Sequence, residues 1–259
     1  MSVIVSYSGG KDSTAMLLRM IELGEHIDRI VFADTGMEFP ELYDYIKRVE
    51  KYIGREIEVL TPEKSFFDWA RGKITRGKMK GEIRGFPMLV NPCYWTREAK
   101  MLPLQRLEKE GVFCVGIAYD EKNRIRSDEN IRYPLVEWGW AEADCVDYLN
   151  KKGMLNPLYV NFNRLGCWHC PYQGEGSLFV LWKNYPELWS KFKEYEEENY
   201  ENTGRYIKLL PLTHYEGIFK TRGKPSCGVP KYGCDSGCEG VKRAYKERQT
   251  SLCQISKKS

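Results

Sequence analysis

The chain has 259 residues, of which 42% are hydrophobic and 29% are charged. This composition supports a folded core in one large or two small domains and excludes a fully disordered chain. Lys and Arg number 40 and Asp and Glu 36, so the formal net charge is +4. That charge permits a nucleic-acid partner without requiring one.

Apolar segments long enough for a membrane are absent from the sequence. No stretch approaches the ~18 to 20 uninterrupted apolar residues of a span, and residues 1–10 lack the basic start and apolar centre of a signal peptide. We therefore expect a cytoplasmic protein with no membrane partner. In a reducing compartment, the nine cysteines are expected to be metal ligands or thiols rather than disulfides.

The first part of the chain alternates short apolar runs with amphipathic segments. The predicted elements are, in chain order, a strand within residues 1–10, a helix over 11–24, a strand over 27–33, a helix over 40–53, a strand over 57–60, a helix around 96–110, a strand over 112–118 and a helix over 140–153. This alternation implies parallel strands joined by helical crossovers. We therefore predict an α/β fold with a doubly wound parallel sheet.

One segment breaks this pattern. Residues 71–86 are rich in Gly, Lys and Arg. A mobile, solvated loop is one interpretation, and a basic lid over a polyanion is the other. The basic stretch over 71–84 is also compatible with contact to a nucleic acid, and the sequence leaves these interpretations open.

The character of the chain changes beyond Asn156. An acidic, aromatic helix is predicted over 177–201, and the tail from Pro225 is rich in Gly and Cys. We place a domain boundary near residue 160. It separates an α/β domain over 1–160 from a Cys-rich, helical C-terminal region over 161–259.

The segment Ser-Tyr-Ser-Gly-Gly-Lys-Asp-Ser lies between the first strand and the first helix. Backbone N–H groups and the positive end of the helix dipole favour an anion there. Glycines admit phosphate oxygens, hydroxyls donate, Lys neutralises charge, and a neighbouring carboxylate is best explained as a Mg²⁺ ligand. The spacing is not that of a Walker loop. The predicted binding residues for ATP and Mg²⁺ are Ser6, Ser8, Gly9, Gly10, Lys11, Asp12 and Ser13.

This segment resembles the SGGKDS signature of the PP-loop ATP pyrophosphatases, and further stretches resemble the phosphoadenosine phosphosulfate (PAPS) reductase family within them. The further stretches are DTGMEFP at 34–40, KMLPL at 100–104, the segment 116–126, NPLY at 156–159 and RLGCWHC at 164–170. The resemblance covers about residues 1–175. It implies an adenine nucleotide alpha hydrolase-like fold, with Asp34, Thr35 and Gly116 at the nucleotide. It also implies that Arg126 assists Lys11 and Asp12 in catalysis.

The sequence departs from the reductases of this family in the phosphate loop and in a C-terminal motif, and both departures bear on the expected activity. Members that only reduce a ready-made adenylyl sulfate usually have a degraded loop, whereas this loop keeps its Lys-Asp pair. Their C-terminal Glu-Cys-Gly-(Leu or Ile)-His motif has no counterpart in this sequence. We therefore expect an enzyme that adenylates an acceptor with ATP, releases pyrophosphate and supports sulfur transfer.

For this activity we expect several partners, and we keep two alternative functions open. The acceptor is expected to be tRNA or DNA, with a sulfur-donor protein as a further partner and a homodimer as the assembly. The first alternative is a PAPS or adenylyl-sulfate reductase that releases sulfite. The second is a nucleotide-binding subunit of a larger sulfur-handling complex.

Cys167 and Cys170 are two residues apart, which lets both thiolates reach one metal or cluster. In one arrangement, Cys93 joins them in a 4Fe-4S cluster with three protein ligands, as in the PP-loop tRNA thiolases that this sequence resembles. In the other, they form a closed four-thiolate zinc or iron–sulfur site with two C-terminal cysteines. The candidates for those two are Cys227, Cys234 and Cys238. The sequence leaves both arrangements open.

Overall fold

The computed structural model describes residues 2–89, 92–223 and 225. These residues divide into two compact units. Among the described residues, the first unit contains 2–69 and Tyr94–Trp168, and the second contains 70–89, 92–93, 169–223 and 225. The chain therefore leaves the first unit for residues 70–93 and then returns to it, a path that one boundary near residue 160 does not describe.

The first unit is built on a five-stranded parallel sheet with the order β3-β2-β1-β4-β5. The strands are β1 (Ser2–Ser6), β2 (Arg29–Ala33), β3 (Glu58–Leu60), β4 (Gly111–Val115) and β5 (Ile131–Arg132). The chain runs outward from β1 to β3 and then crosses to β4 on the other side of β1. This reversal of strand order makes the sheet doubly wound and confirms the predicted α/β fold.

The first helix of the first unit follows β1 after the loop of residues 7–10. The helices are α1 (Lys11–Glu22), α2 (Pro40–Ile53), α3 (Phe66–Ala70), α4 (Tyr94–Thr96), α5 (Leu102–Leu107), α6 (Pro134–Glu137) and α7 (Glu142–Lys151). The last residue of α3, Ala70, already belongs to the second unit. Two 3₁₀ turns cover Tyr119–Arg124 and Pro157–Val160. Helices α1 and α7 pack against each other.

The helix predicted around 96–110 is interrupted by a π-helical turn, Arg97–Met101, which joins α4 to α5. In this turn the Leu102 N–H bonds the Arg97 carbonyl. Pro103 follows and has no N–H for the usual ladder, so it accounts for the change of hydrogen-bond register at this point.

The core of the sheet lies around its central strands. Ile4 and Val5 are neighbours on β1 and both are fully buried, so the strand is covered on both faces. Val31 and Phe113, from the two flanking strands, pack with Ile4 in one cluster. Burial on both faces explains why these strands are continuous apolar runs rather than alternating ones.

The second unit contains three helices, α8 (Glu175–Asn184), α9 (Pro186–Thr203) and α10 (Leu212–Arg222). The single helix predicted over 177–201 is thus two helices that meet at Tyr185. The residue before a proline disfavours helical backbone, and Pro186 follows Tyr185. Across the part of the chain that the structure describes, no helix is both long and apolar enough to cross a membrane.

The basic segment belongs to the second unit and is held at both ends by α9. The Arg71 guanidinium pairs with Glu198 at 2.7 Å, and the Phe86 N–H donates to the Asn199 side chain at 2.7 Å. Residues 76–82 between these ends are exposed. The ends are therefore anchored, and the lid over a polyanion stays a prediction.

A buried carboxylate links two helices of the second unit. Glu196 on α9 is 5% exposed, and its Oε2 accepts a 2.6 Å hydrogen bond from the Leu212 N–H at the start of α10. Its Oε1 is buried and has no hydrogen-bond partner among the described residues. Burial raises the pKa of Glu196 to about 7.

We expect Glu196→Gln to stabilise the protein more under mildly alkaline than under acidic conditions. The folded-state pKa is raised, so the unfolded chain loses this proton first and the wild-type free energy of unfolding falls as pH rises from about 4.5 to about 7. Between about pH 5 and about pH 8, the advantage of the Gln variant should grow by on the order of 2 to 3 kcal/mol. Urea unfolding at both pH values measures this. Glu201→Gln, at an exposed position of α9, is the control, and an equal effect of both substitutions would contradict the expectation.

Candidate functional site

The loop between β1 and α1 is a tight turn at the carboxyl edge of the sheet. Gly9 has φ +71°, and a Cβ there would lie 2.4 Å from Leu42 Cδ1, so this position requires glycine. The Ser8 N–H donates to Ser13 Oγ at 3.1 Å, and the two hydroxyls are 3.0 Å apart. The predicted loop is therefore folded back onto the first turn of α1.

Two side chains from the NPLY stretch hold this loop. The Asn156 amide donates to the Gly9 carbonyl at 2.9 Å, and Asn156 is fully buried. The Tyr159 hydroxyl accepts the Lys11 N–H at 3.1 Å. Burial raises the pKa of Tyr159, so its hydroxyl stays protonated. The resemblance to the family identified the NPLY stretch, and the structure shows that it hydrogen-bonds the backbone of the loop.

The ammonium of Lys11 lies between two carboxylates. Its Nζ is 2.8 Å from Glu142 Oε1 and 3.2 Å from Asp12 Oδ2, and the three side chains are 7%, 18% and 17% exposed, in that order. Burial alone would lower the pKa of Lys11, but Asp12, Tyr159 and Glu142 raise it overall. Burial, opposed by Lys11 and reinforced by Glu142, raises the pKa of Asp12 to about 6. Glu142 was not predicted as a site residue.

Asp12 fits the predicted role of a Mg²⁺ ligand. Its Oδ1 is buried and meets no hydrogen-bond donor with good geometry among the described residues, although the Cys145 thiol lies beside this carboxylate. Magnesium ions at nucleotide sites are commonly held by one or two carboxylates together with the substrate phosphates. The chemistry of Asp12 fits such an ion, and the Mg²⁺ site stays a prediction.

The residues at the end of β2 lie beside the loop, because β2 pairs with β1. Asp34 Oδ1 accepts a 2.8 Å hydrogen bond from the Tyr43 hydroxyl. Thr35 is buried and donates to Glu38 at 3.1 Å, and the Lys100 ammonium donates to the same carboxylate oxygen at 2.8 Å. The fold thus brings the predicted Asp34 and Thr35 to the carboxyl edge of the sheet.

Gly116 and Ser6 flank the loop from the central strands. Ser6 is the last residue of β1 and pairs with Val115 of β4, directly before Gly116. A Cβ on Gly116 would lie 2.8 Å from the Cα of Ser13 and 2.9 Å from its backbone N. The absence of a side chain at Gly116 therefore allows α1 to approach β4 closely.

Arg126 lies apart from the other predicted catalytic residues. Its guanidinium bonds Glu108 at 2.6 Å and lies 3.6 Å from Asp128. These residues line a cavity of about 550 Å³. Within the described ranges, no hydrogen bond or ion pair joins Arg126 to residues 6–13. A direct role of Arg126 at the phosphates stays a prediction.

The predicted metal ligands are distributed over both units. Cys167 belongs to the first unit, where its Sγ is 3.5 Å from Thr35 Oγ1, whereas Cys93 and Cys170 belong to the second. No group of three Cys, His, Asp or Glu within residues 2–89, 92–223 and 225 is placed to hold a metal ion. The remaining candidates, Cys227, Cys234 and Cys238, lie outside the described residues. Both metal arrangements therefore stay predictions.

A parallel sheet whose first strand runs into the loop Ser-Gly-Gly-Lys-Asp-Ser defines a nucleotide-binding protein of the PP-loop class. The sequence profile of the phosphoadenosine phosphosulfate reductase domain matches residues 2–173. The chain therefore belongs to this family, and the resemblance seen in its motifs is confirmed.

Known proteins similar to this chain include both reductases and proteins without an assigned activity. It is 29% identical over 220 residues to an uncharacterized protein of Methanocaldococcus jannaschii, covering 76% of this chain and 42% of that protein. It is 28% identical over 169 residues to the adenosine 5'-phosphosulfate reductase of Bacillus mycoides, covering 60% and 67%. The crystal structure of phosphoadenylyl-sulfate reductase from Candida auris aligns with a TM-score of 0.49 at 20% identity, covering 65% and 82%.

The chain spans less than half the length of two M. jannaschii relatives, 42% of one and 46% of the other. Both relatives are uncharacterized proteins by name.

We expect Gly116→Ala to weaken ATP binding. The new Cβ would press on the backbone of Ser13, which has to shift and carry the loop with it. Overpacking of this kind costs about 1 to 3 kcal/mol. If that cost falls on the shape of the loop that binds ATP, the affinity should fall roughly 5- to 150-fold. Isothermal titration with ATP measures the change. Gly217→Ala on α10, where a Cβ meets no atom within 4 Å, is the control, and an unchanged affinity of the Gly116 variant would contradict the expected close approach.

Proposed function

We propose that this protein binds ATP on residues 8–13, transfers the adenylyl group to an acceptor with release of pyrophosphate, and supports replacement of AMP by sulfur. The observation that carries the proposal is the intact loop, with the Lys11 ammonium fixed beside Asp12. A reductase of a ready-made adenylyl sulfate has no pyrophosphate to release and no use for this pair.

The proposed reaction follows from what the loop residues can do. The triphosphate lies at the N-terminus of α1, where the Lys11 ammonium and backbone N–H groups donate to its oxygens. An oxygen of the acceptor attacks the α-phosphorus, and the bond from that phosphorus to its bridging oxygen breaks. The electron pair leaves with pyrophosphate, whose growing charge Lys11 and the amides stabilise. Mg²⁺ held by Asp12, when bound, neutralises further phosphate charge.

The second half of the proposed reaction requires a sulfur nucleophile. The acceptor oxygen now carries AMP, which is a good leaving group. A persulfide on a donor protein attacks the acceptor carbon that bears this oxygen, and AMP departs with the oxygen. A second thiol of the donor then cleaves the S–S bond, which leaves sulfur on the acceptor and a disulfide on the donor. We propose tRNA or DNA as the acceptor, supported by the net charge of +4 and by the exposed basic residues within 76–82.

A reductase activity is the second candidate function, and two observations favour it. The chain shares 28% identity with an adenosine 5'-phosphosulfate reductase over 60% of its length. Cys167 also lies against Thr35, at the carboxyl edge of the sheet. In this alternative, a thiolate attacks the sulfur of a sulfonucleotide, the nucleotide leaves, and an added dithiol reduces the resulting thiosulfonate to release sulfite.

Incubation with each substrate separates the two candidates. We expect pyrophosphate from ATP and no sulfite from PAPS or adenylyl sulfate in the presence of dithiothreitol, since the loop keeps its Lys-Asp pair. Enzyme-coupled assays of pyrophosphate and sulfite measure both products. Sulfite without pyrophosphate would establish the reductase, and tight ATP binding without either product would favour a nucleotide-binding subunit of a larger complex.

Lys11→Ala is expected to abolish most of the pyrophosphate release. Removal of one preorganised charge that stabilises a transition state typically lowers kcat about 100- to 1,000-fold. Single-turnover pyrophosphate release at saturating ATP measures the loss. Lys47→Ala, an exposed lysine of α2, removes the same charge elsewhere and should retain full activity. Full activity of the Lys11 variant would place the chemistry at another site.

A further inference from the structure

Glu142 is fixed in space by the start of α7. Its N–H donates to Asp120 Oδ1 at 3.2 Å, and the preceding residue, Ala141, donates its N–H to Asp144 at 2.9 Å. The buried face of α7 packs on α1, the helix that begins with Lys11. The carboxylate of Glu142 therefore approaches Lys11 from α7, whose start is also held by the contacts to Asp120 and Asp144.

The contacts of the Lys11 ammonium restrict its orientation. An ammonium has three N–H groups, and here two of them point to Glu142 Oε1 at 2.8 Å and Asp12 Oδ2 at 3.2 Å. The ring of Tyr159 lies 5.7 Å from Nζ. One N–H group therefore remains for a ligand. We infer that Glu142 is a positioning residue, which orients the Lys11 ammonium for the phosphates in the proposed reaction, on which this inference rests.

Glu142 also shares the counter-charge of the buried ammonium. If Asp12 were the only carboxylate beside Lys11, it would supply that whole counter-charge. Glu142 instead lies at the shorter distance, 2.8 Å against 3.2 Å. Replacement of Glu142 therefore leaves Asp12 as the closer carboxylate and changes the direction in which the ammonium is held.

Because Glu142 is negatively charged, its replacement distinguishes a positioning role from a role in substrate binding. A carboxylate beside the phosphates repels them, so it contributes nothing to ATP affinity directly. Removing its charge should therefore leave ATP binding unchanged or strengthen it, while Lys11 loses its fixed orientation. A residue that merely supported the loop would instead weaken binding when replaced, because the loop amides would lose their arrangement.

The steady-state test compares Glu142→Gln with Glu142→Asp. We expect the Gln variant to release pyrophosphate with a kcat about 100-fold lower, because misplacement of a catalytic group by about 1 Å has effects of this size. Its KM for ATP should not rise. The Asp variant, which keeps the charge, should recover part of the kcat. Asp147→Asn, an exposed carboxylate on the same helix, is the matched control and should behave as wild type. A raised KM with unchanged kcat in the Gln variant would overturn the inference.

A second measurement does not depend on turnover. Isothermal titration reports the ATP affinity of each variant directly. Glu142→Gln should bind ATP as tightly as wild type or more tightly, because a carboxylate beside the phosphates is removed. A weaker affinity would overturn the positioning role. If the affinity is retained but wild type releases no pyrophosphate, ATP binding at the loop holds and the positioning role falls together with the proposed function.

Discussion

The structure of the candidate site depends on two buried hydrogen bonds to the backbone of the β1–α1 loop. The first amides of a helix have no partner within the helix, and the Lys11 N–H is satisfied here by the hydroxyl of Tyr159. The Gly9 carbonyl is satisfied by Asn156. Leaving such a buried group without its partner costs about 1 to 3 kcal/mol. The loop therefore has its binding shape before any ligand arrives.

The electrostatics of the loop differ from those of the whole chain. The protein carries a formal charge of +4, yet the Lys11 ammonium faces two carboxylates within 3.2 Å. A polyphosphate that entered alone would meet at least as much negative as positive charge. The Lys11 ammonium keeps one N–H to donate to it, and a divalent cation that arrived with the nucleotide would offset the two carboxylates. The expectation of Mg²⁺ beside Asp12 stays a prediction.

Sequence reasoning predicted the parts of this site that are local in the chain. A β-branched strand, a Gly-Gly turn and a helix follow one another within 22 residues, so pattern alone located the loop. Glu142 and the role of Tyr159 were missed because each contacts Lys11 across more than 130 residues of sequence. The sequence likewise contains no local sign that residues 70–93 join the second unit before the chain goes back to the first. The contacts of this segment with α9 bring together residues far apart in the sequence.

Arg126 illustrates the converse limit. It was assigned to the phosphates through a motif, and in this structure its guanidinium lies 2.6 Å from Glu108, so that assignment stays a prediction. Lys11 is a cation that the described structure does place at the loop, beside the amides of α1. A cation stabilises the leaving pyrophosphate effectively only if it is correctly oriented. The orientation of the Lys11 ammonium therefore depends on the groups that contact it. Glu142, at 2.8 Å, makes the shortest of these contacts among the described residues.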